Sequence, residues 1–370
     1  MSEQWNYANP VRFSFGPGTI GLLKEKIADR DFAIVTYGDN PVFERLSERV
    51  QREIGRPAAV VVNDVEPNPS YNGLRVQCHA FAAATHRPDV IVALGGGSVI
   101  DTAKVLAAAG GDFARVEAFL EGRSDPSQLL SVPIIAVPTT AGTGSEVTSW
   151  ATIWDTDNKK KYSLARPNLY PEHAIIDPVL MVGVPRSLTL STGLDALSHA
   201  LESIWNVNAN PVSANHAVFA AREVLDSLPS LIEHLGDISL RSRLARASLF
   251  AGLAFSNTRT ALAHSLSYHL TLHHGTVHGI ACSFSLPAVM RSVLGHNEAC
   301  DDALKRIFGP NLNKGADALD ELMAKLGVST RATDYGISRD EWREVIEDAL
   351  LGERGRNFIG SRDAVLAAAA

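Results

Sequence analysis

Four short apolar runs punctuate the first half of the chain: "FAIVTY" (Phe32 to Tyr37), "AAVVVND", "DVIVAL" (Asp89 to Leu94) and "PIIAVP". Each is rich in β-branched residues and lacks polar alternation, as a strand covered on both faces would. Helical segments separate them, from Val42 onward, over 70–84 and over 99–109. Strand–helix alternation of this kind implies βαβ units and a parallel sheet. Residues 149–177 carry turn residues and short apolar runs and are expected to form a small β insertion. After about Pro185 strand-like runs nearly vanish. Ala/Leu-rich segments over 188–205, 211–235, 239–255 and 260–272 read as an all-helical domain. The expected division is an α/β domain over 1–185 and an all-α domain over 186–370, joined near "VGVPRS".

A chain of 370 residues is too long for one ordinary core, which agrees with two domains. The net charge of −7 argues against a nucleic-acid binder, which would show a basic stripe. The three cysteines, Cys78, Cys282 and Cys300, form no CxxC pair and are odd in number. Neither a disulfide framework nor a cysteine zinc site is expected, and a reducing cytoplasm fits. The start "MSEQWNYANP" has no basic segment followed by an apolar one, so no secretory signal is expected. No apolar run reaches the roughly 18 residues of a membrane span.

"DVIVALGGGSVIDTAK" sets a strand, three glycines, a serine and a helix in sequence. Glycines let a backbone approach a phosphate closely, and the helix start offers free N–H groups and a positive dipole end. A tight turn alone needs one glycine, hardly Gly95, Gly96 and Gly97 together. The spacing is neither GxGxxG nor a Walker loop. Ser98 suits an N-cap or a phosphate donor, and Asp101 and Lys104, at i and i+3, suit a pair on the helix surface. The later stretch "PTTAGTGSEVTSWATIWD" has no helical stripe and no alternation. Its Thr139, Thr140, Gly142, Thr143, Gly144 and Ser145 follow the next strand, at the sheet end where such loops converge. Hydroxyls and free N–H groups there suit a ribose, a pyrophosphate or a nicotinamide amide; a plain surface loop is the alternative.

"STGLDALSHALESIW" sets Asp195 and His199 four residues apart on one helix face, beside apolar Leu194, Leu197, Leu201 and Ile204. A carboxylate and an imidazole on such a face are costly unless paired or metal-bound. A buried Asp–His hydrogen bond would explain the pair if it stood alone. "HSLSYHLTLHHGTVHG" adds His264, His269, His273, His274 and His278. An aspartate with several histidines suits a borderline divalent ion, Fe²⁺ or Zn²⁺, though spacing does not say which histidines bind.

With "GGGSVIDTAK", "PTTAGTGSEVT", "GLDALSHALES" and "AHSLSYH…VHGIA" the chain resembles the iron-containing alcohol dehydrogenase family, within the superfamily of glycerol dehydrogenase and dehydroquinate synthase. The resemblance runs along nearly the whole chain. It implies a Rossmann-like dinucleotide-binding domain, a helical metal-binding domain, and a metal between them. Carried over, the metal ligands are Asp195, His199, His264 and His278. Gly95, Gly96, Gly97, Ser98, Asp101, Thr139, Thr140, Ser145 and Lys161 meet the cofactor, an NAD(P). Where many members have a histidine four residues after the third ligand, this chain has Tyr268, followed by His269; Tyr268, His269 or a water could carry the proton. Where many NAD-using members end the first strand with aspartate, Tyr37 stands, with Asp39 nearby, so the choice between NAD and NADP is open. The metal would act as a Lewis acid and reduced nicotinamide would deliver hydride to a carbonyl carbon.

Arg259, five residues before His264, stands where many relatives have glycine. Arginine pairs bidentately with phosphonate, phosphate or carboxylate; an arginine on the helix surface is the alternative. The words "DALSHALESIWNVNANPVS" and "TALAHSLSYHLT" resemble most the branch that reduces phosphonoacetaldehyde to 2-hydroxyethylphosphonate. Maleylacetate reductase, a general alcohol dehydrogenase, a dehydroquinate-synthase-like lyase and an inactive binding protein are the other readings. The expected partners are a small aldehyde or alcohol, with no nucleic acid and no membrane; a homodimer is open as the assembly.

Overall fold

The computed structural model describes residues 4–38, 40–155, 157, 158 and 160–368. It divides into two compact units. One takes Pro10–Thr140 and Ser145–Met181; the other takes Ala141–Gly144 and the chain from Val182 on, with the stretch ahead of Pro10.

The first unit contains strands β1 (Arg12–Phe15), β2 (Phe32–Tyr37), β3 (Val60–Val65), β4 (Val90–Gly95), β5 (Ile134–Pro138), β6 (Trp150–Asp155), β7 (Lys160–Ala165) and β8 (His173–Ile176). Its helices are α1 (Leu23–Ile27), α2 (Pro41–Ile54), α3 (Tyr71–Ala82), α4 (Gly97–Ala109) and α5 (Phe113–Leu120). Among the described residues, six strands form one parallel sheet in the order β1-β8-β5-β4-β2-β3. This is the expected α/β class. The central strands β2, β4 and β5 are buried on both faces, which is why their sequences lack alternation. Two cores cover the faces. Val50 and Ile54 of α2 pack with Phe32, Ile34, Val90 and Val92, while Leu74, Val99, Ile100 and Leu106 of α3 and α4 pack with Ala33, Val35, Ile91 and Ala93. Each fully buried Val, Leu or Ile contributes about 1.5–3 kcal/mol.

The chain runs outward from β2 to β3, then returns across β2 to β4 and continues the other way to β5. The order therefore reverses between β2 and β4, and their carboxyl ends, Tyr37 and Gly95, flank that point. Open α/β sheets bind ligands at such a switch.

The expected insertion over 149–177 is only partly one. β6 and β7 form a separate antiparallel hairpin, but β8 rejoins the main sheet between β5 and β1. The edge strand β1, "RFSF", was not visible in the sequence. It has four residues, and exposed and half-buried positions do not alternate along it.

The second unit is helical: α6 (Arg186–Ile204), α7 (Pro211–Glu233), α8 (Ile238–Thr258), α9 (Leu262–His274), α10 (His278–Ser283), α11 (Leu286–Val293), α12 (Glu298–Phe308), α13 (Leu312–Lys325), α14 (Arg339–Leu351) and α15 (Arg362–Ala368). The chain entry to α7 is fixed by a capping box, Asn210 with Ser213, and by Pro211 at the first helical position. Helix α6 is buried on all sides from Gly193 to Ile204. Helix α10 lies so close to it that a Cβ on Gly279 would fall 1.9 Å from the Ser191 carbonyl oxygen. That approach needs glycine directly after His278. Among the described residues no helix is long and apolar enough to cross a membrane.

Candidate metal centre and nucleotide loop

Helices α6, α9 and α10 bring Asp195, His199, His264 and His278 together inside the second unit. Asp195, His199 and His264 are 4%, 5% and 2% exposed. His264 Nε2 lies 3.4 Å and His199 Nε2 3.9 Å from Asp195 Oδ1. The His199 and His264 rings stack at 4.5 Å, and the His264 and His278 rings meet edge to face at 5.6 Å. Asp195 Oδ1 and His264 Nε2 are buried and find no hydrogen-bond partner. Leaving such atoms unpaired costs about 1–3 kcal/mol each. A divalent ion accepting both lone pairs removes that cost, so the donors fit a metal.

The other ring nitrogens are held. His264 Nδ1–H donates to Glu202 Oε2 at 2.5 Å, and the His264 backbone N–H donates to Glu202 Oε1. Glu202 is fully buried and lies two turns beyond Asp195 on α6. His199 Nδ1–H donates to the Gly142 carbonyl at 3.3 Å, and its ring stacks on Phe255 at 4.0 Å. These contacts fix the tautomers so that each Nε2 offers its lone pair inward. Burial pushes His199 down to about 4, so its imidazole is neutral, the metal-ligating form, near pH 7. Burial alone would raise the Asp195 carboxyl; the imidazoles of His199, His264 and His278 hold it well below the usual carboxylate range.

Sequence reasoning missed two participants. Glu202 follows Asp195 by seven residues on the same face, a spacing that could have marked it. The other is Cys282, the fourth residue after His278 on α10. Its sulfur lies 3.5 Å from His278 Nε2, and Asp195, His264, His278 and Cys282 offer donor atoms all within 4.8 Å of one another. A cysteine zinc site was not expected from the sequence, yet this thiol stands among the donor atoms. Burial alone would raise the thiol, but the His264 and His278 imidazoles bring it down to about 6.

His269 belongs to a different cluster. His269 and His274 both hydrogen-bond Glu341 Oε1 on α14, at 3.1 and 3.2 Å, and His273 stacks on His269. Tyr268 is half-buried, with the Arg354 guanidinium 5.2 Å from its ring centroid. Burial raises its hydroxyl, and the charges of Arg354, His264, Cys282 and Glu202 all act on it. Arg259 ends α8 in a left-handed conformation, φ 63°, which costs a non-glycine residue energy. Its side chain is 58% exposed and pairs with Glu353 at 3.5 Å. Arg354 donates to the hydroxyl of the next residue, Thr260.

In the first unit the glycine loop sits at the β2–β4 switch. Helix α4 starts at Gly97 with no side-chain cap, which leaves its first N–H groups open to an anion. A Cβ on Gly96 would lie 2.8 Å from the Tyr37 hydroxyl and 2.9 Å from Thr140 Oγ1, so both hydroxyls crowd the loop. Gly95 lies against Val99, where a Cβ would fall 2.5 Å from Cγ2. Ser98 Oγ accepts from the Asn68 backbone N–H, and Thr139 Oγ1 is buried without a partner. A helix start without a side-chain cap, an orphaned hydroxyl and a cradle without Cβ atoms fit a pyrophosphate. Asp39 lies outside the described residues.

Asp101 and Lys104 are not a surface pair. Lys104 is fully buried; its ammonium reaches Ser145 O, Ser145 Oγ and Trp150 O at 2.8 Å and Thr148 Oγ1 at 3.1 Å. Asp101 accepts from Ser145 Oγ and from the Thr152 backbone N–H. Together they fasten α4 to the 145–152 segment. Lys161, on β7, lies 5.0 Å from the Trp154 ring centroid, and its charge reaches Asp101. The glycines of "TAGTGS" have packing reasons of their own. A Cβ on Gly142 would strike the Thr192 carbonyl at 2.5 Å, and one on Gly144, at φ +59°, would strike Gly252 Cα at 2.7 Å.

The model of the iron-containing alcohol dehydrogenase family matches residues 10–178, and the model of that family's C-terminal part matches residues 189–360. An NAD-dependent methanol dehydrogenase of Bacillus methanolicus is 36% identical over 360 residues, covering 93% of each chain. A 1,3-propanediol dehydrogenase of Klebsiella pneumoniae is 30% identical, covering 94% of this chain and 93% of its own. The crystal structure of a sulfoacetaldehyde reductase from Bifidobacterium kashiwanohense in complex with NAD⁺ is 28% identical, with a TM-score of 0.89 over 99% of this chain and 98% of the other.

Proposed function

Because the chain belongs to the iron-containing alcohol dehydrogenase family, we propose that it uses a divalent metal and a nicotinamide dinucleotide to reduce a small anionic aldehyde to its alcohol, with phosphonoacetaldehyde the leading candidate. The observation that carries the metal-dependent reading is the inward-facing, unpartnered pair Asp195 Oδ1 and His264 Nε2, flanked by His199 and His278. The metal would supply Lewis acidity at the carbonyl oxygen and the reduced nicotinamide a hydride.

The chain's own residues then have distinct tasks. Asp195, His199, His264 and His278 hold the ion. Glu202 and the Gly142 carbonyl keep His264 and His199 in the ligating tautomer. Tyr268, within electrostatic reach of His264 and held against Arg354, moves the proton at the substrate oxygen; His269, engaged by Glu341, is the weaker candidate. The open start of α4, with Gly95, Gly96, Gly97, Ser98, Thr139 and Thr140, takes the pyrophosphate. Tyr37 closes the end of β2 where an aspartate would hold a ribose, and NAD is proposed on the strength of the relatives that use it.

Two observations support an anionic substrate. Arg259 directly precedes Thr260, and Arg354, far later in the chain, donates to the Thr260 hydroxyl and lies against the Tyr268 ring, so two arginines meet the segment just ahead of α9. The similar sulfoacetaldehyde reductase takes by name a two-carbon aldehyde bearing an anion. A neutral short alcohol is the second reading, favoured by the 36% identity to a methanol dehydrogenase and by the partnership of Arg259 with Glu353. The test is kcat/KM for phosphonoacetaldehyde, sulfoacetaldehyde, propanal and formaldehyde, each with NADH and with NADPH. A preference for the two anionic aldehydes is expected. Faster turnover of the neutral ones would replace the substrate reading with the second, and no NAD(P)H oxidation with any aldehyde would remove both.

A further inference from the structure

The metal centre contains one donor more than an aspartate and three histidines. Cys282 is fully buried, and its sulfur lies 3.5 Å from His278 Nε2 and 3.7 Å from Nδ1. His278 and Cys282 stand at i and i+4 on α10, as Asp195 and His199 do on α6, so each helix presents two donors on one face. The placement is fixed from the backbone. Ser198 Oγ, on the turn between Asp195 and His199, donates to the Cys282 carbonyl at 2.9 Å, and Gly279 lets α10 press onto α6 at Ser191. The tightest group of donor atoms is Asp195, His264, His278 and Cys282; His199 lies outside it. Two of that group, Asp195 Oδ1 and His264 Nε2, are the buried atoms without hydrogen-bond partners.

We propose that Cys282 is a ligand of the metal, giving the centre an aspartate–histidine–thiolate donor set that favours thiophilic ions such as Zn²⁺ and Co²⁺ over Fe²⁺. The thiol gives up its proton to solvent as its sulfur takes the ion. Thiolate is a soft donor, and its presence selects among divalent metals more strongly than a further imidazole or carboxylate does. Cys78 and Cys300 are buried apart from this cluster, and burial pushes both up to about 12. This inference rests on the metal-dependent reading above.

The test uses cobalt as a spectroscopic substitute in the full-length enzyme carrying Cys78→Ser and Cys300→Ser. Cobalt content is measured by elemental analysis and the near-ultraviolet spectrum is recorded on the same sample. A sulfur-to-cobalt charge-transfer band at one cobalt per chain is expected, and its loss in Cys282→Ser with cobalt retained. Full occupancy without the band overturns the thiolate ligand and leaves the metal centre standing. Failure to take up cobalt or any other divalent ion overturns both. The wild-type spectrum decides the matter even if Cys282→Ser does not fold. Loading from equimolar Zn²⁺ and Fe²⁺ without oxygen gives a second readout. The zinc-to-iron ratio in Cys282→Ser should fall by at least about tenfold, the scale on which even an outer contact changes metal affinity. An unchanged ratio contradicts the selectivity.

Discussion

Asp195 illustrates how a single side chain commits the rest of the site. A carboxylate 4% exposed, with one oxygen unpaired, is costly to bury unless positive charge joins it. Asp195→Ala and His264→Ala should each lose bound metal and activity together, read by elemental analysis and NADH oxidation on one preparation. Full metal occupancy in both variants contradicts the assignment. Glu202→Gln should retain the ligands but lower metal affinity by about 10–100-fold, because the His264 Nδ1 proton loses its charged acceptor. Arg259 poses a question of magnitude. As it stands, a 58%-exposed ion pair with Glu353 contributes no more than about 1 kcal/mol. A bound anion that excludes water would raise this, so Arg259→Ala should reduce kcat/KM for phosphonoacetaldehyde by about tenfold or more, equivalent to ~1.4 kcal/mol, and spare propanal. Equal losses on both would make Arg259 structural, consistent with its strained backbone. Asp195 and His199 were legible because acid and imidazole at i and i+4 violate an apolar stripe, whereas His264 and His278 were picked out of five clustered histidines only by the family resemblance. Cys282 was not legible, because a small apolar thiol violates nothing.

At the scale of elements, the strand–GGGS–helix unit was readable since three consecutive glycines weaken any element they interrupt. What the residues after it do was less readable. Asp101 and Lys104 resemble an ordinary exposed i,i+3 pair, and only the tertiary structure reveals that a segment some forty residues later buries Lys104 and hydrogen-bonds both. Likewise Gly142 and Gly144 suggested ligand contact, while their missing Cβ atoms make room for α6 and α8. The strands β2 to β5 were legible from unbroken apolar runs, and β1 and β8 were not, being four residues each. Gly96 separates steric from conformational need. Its φ of −79° is open to any residue, so the only obstacle to a side chain is the Tyr37 and Thr140 hydroxyls and whatever anion the loop holds. Gly96→Val should therefore fold, keep its metal, and raise the NADH dissociation constant by about tenfold or more, measured by fluorescence titration. Unchanged NADH binding would place the pyrophosphate elsewhere.

Across the whole molecule, the composition limited the possible functions without selecting one. A net charge of −7 and the absence of membrane-length helices among the described residues leave a very large class of enzymes and binding proteins. The narrowing comes from three helices, α6, α9 and α10, meeting at one cluster of donors. An ion bound there ties together segments separated by up to about eighty residues of chain, and it binds only the folded form. Such binding stabilises by RT ln(1 + [M]/Kd), about 2.7 kcal/mol at a hundredfold excess over Kd. For a domain of this size each kcal/mol moves the melting temperature by about 2–4 °C. Chelation should thus lower the melting temperature by roughly 5–10 °C, and restoring Zn²⁺ or Fe²⁺ should recover it. Asp195→Ala, which lacks the ligand, should show no chelator effect, because its apo and metal-supplemented forms are the same species. Differential scanning calorimetry of both proteins, with and without chelator, makes the comparison. A wild-type transition indifferent to chelation and to added metal would mean that the cluster stays folded by its own hydrogen bonds, with Glu202 and Gly142 sufficient partners for its histidines.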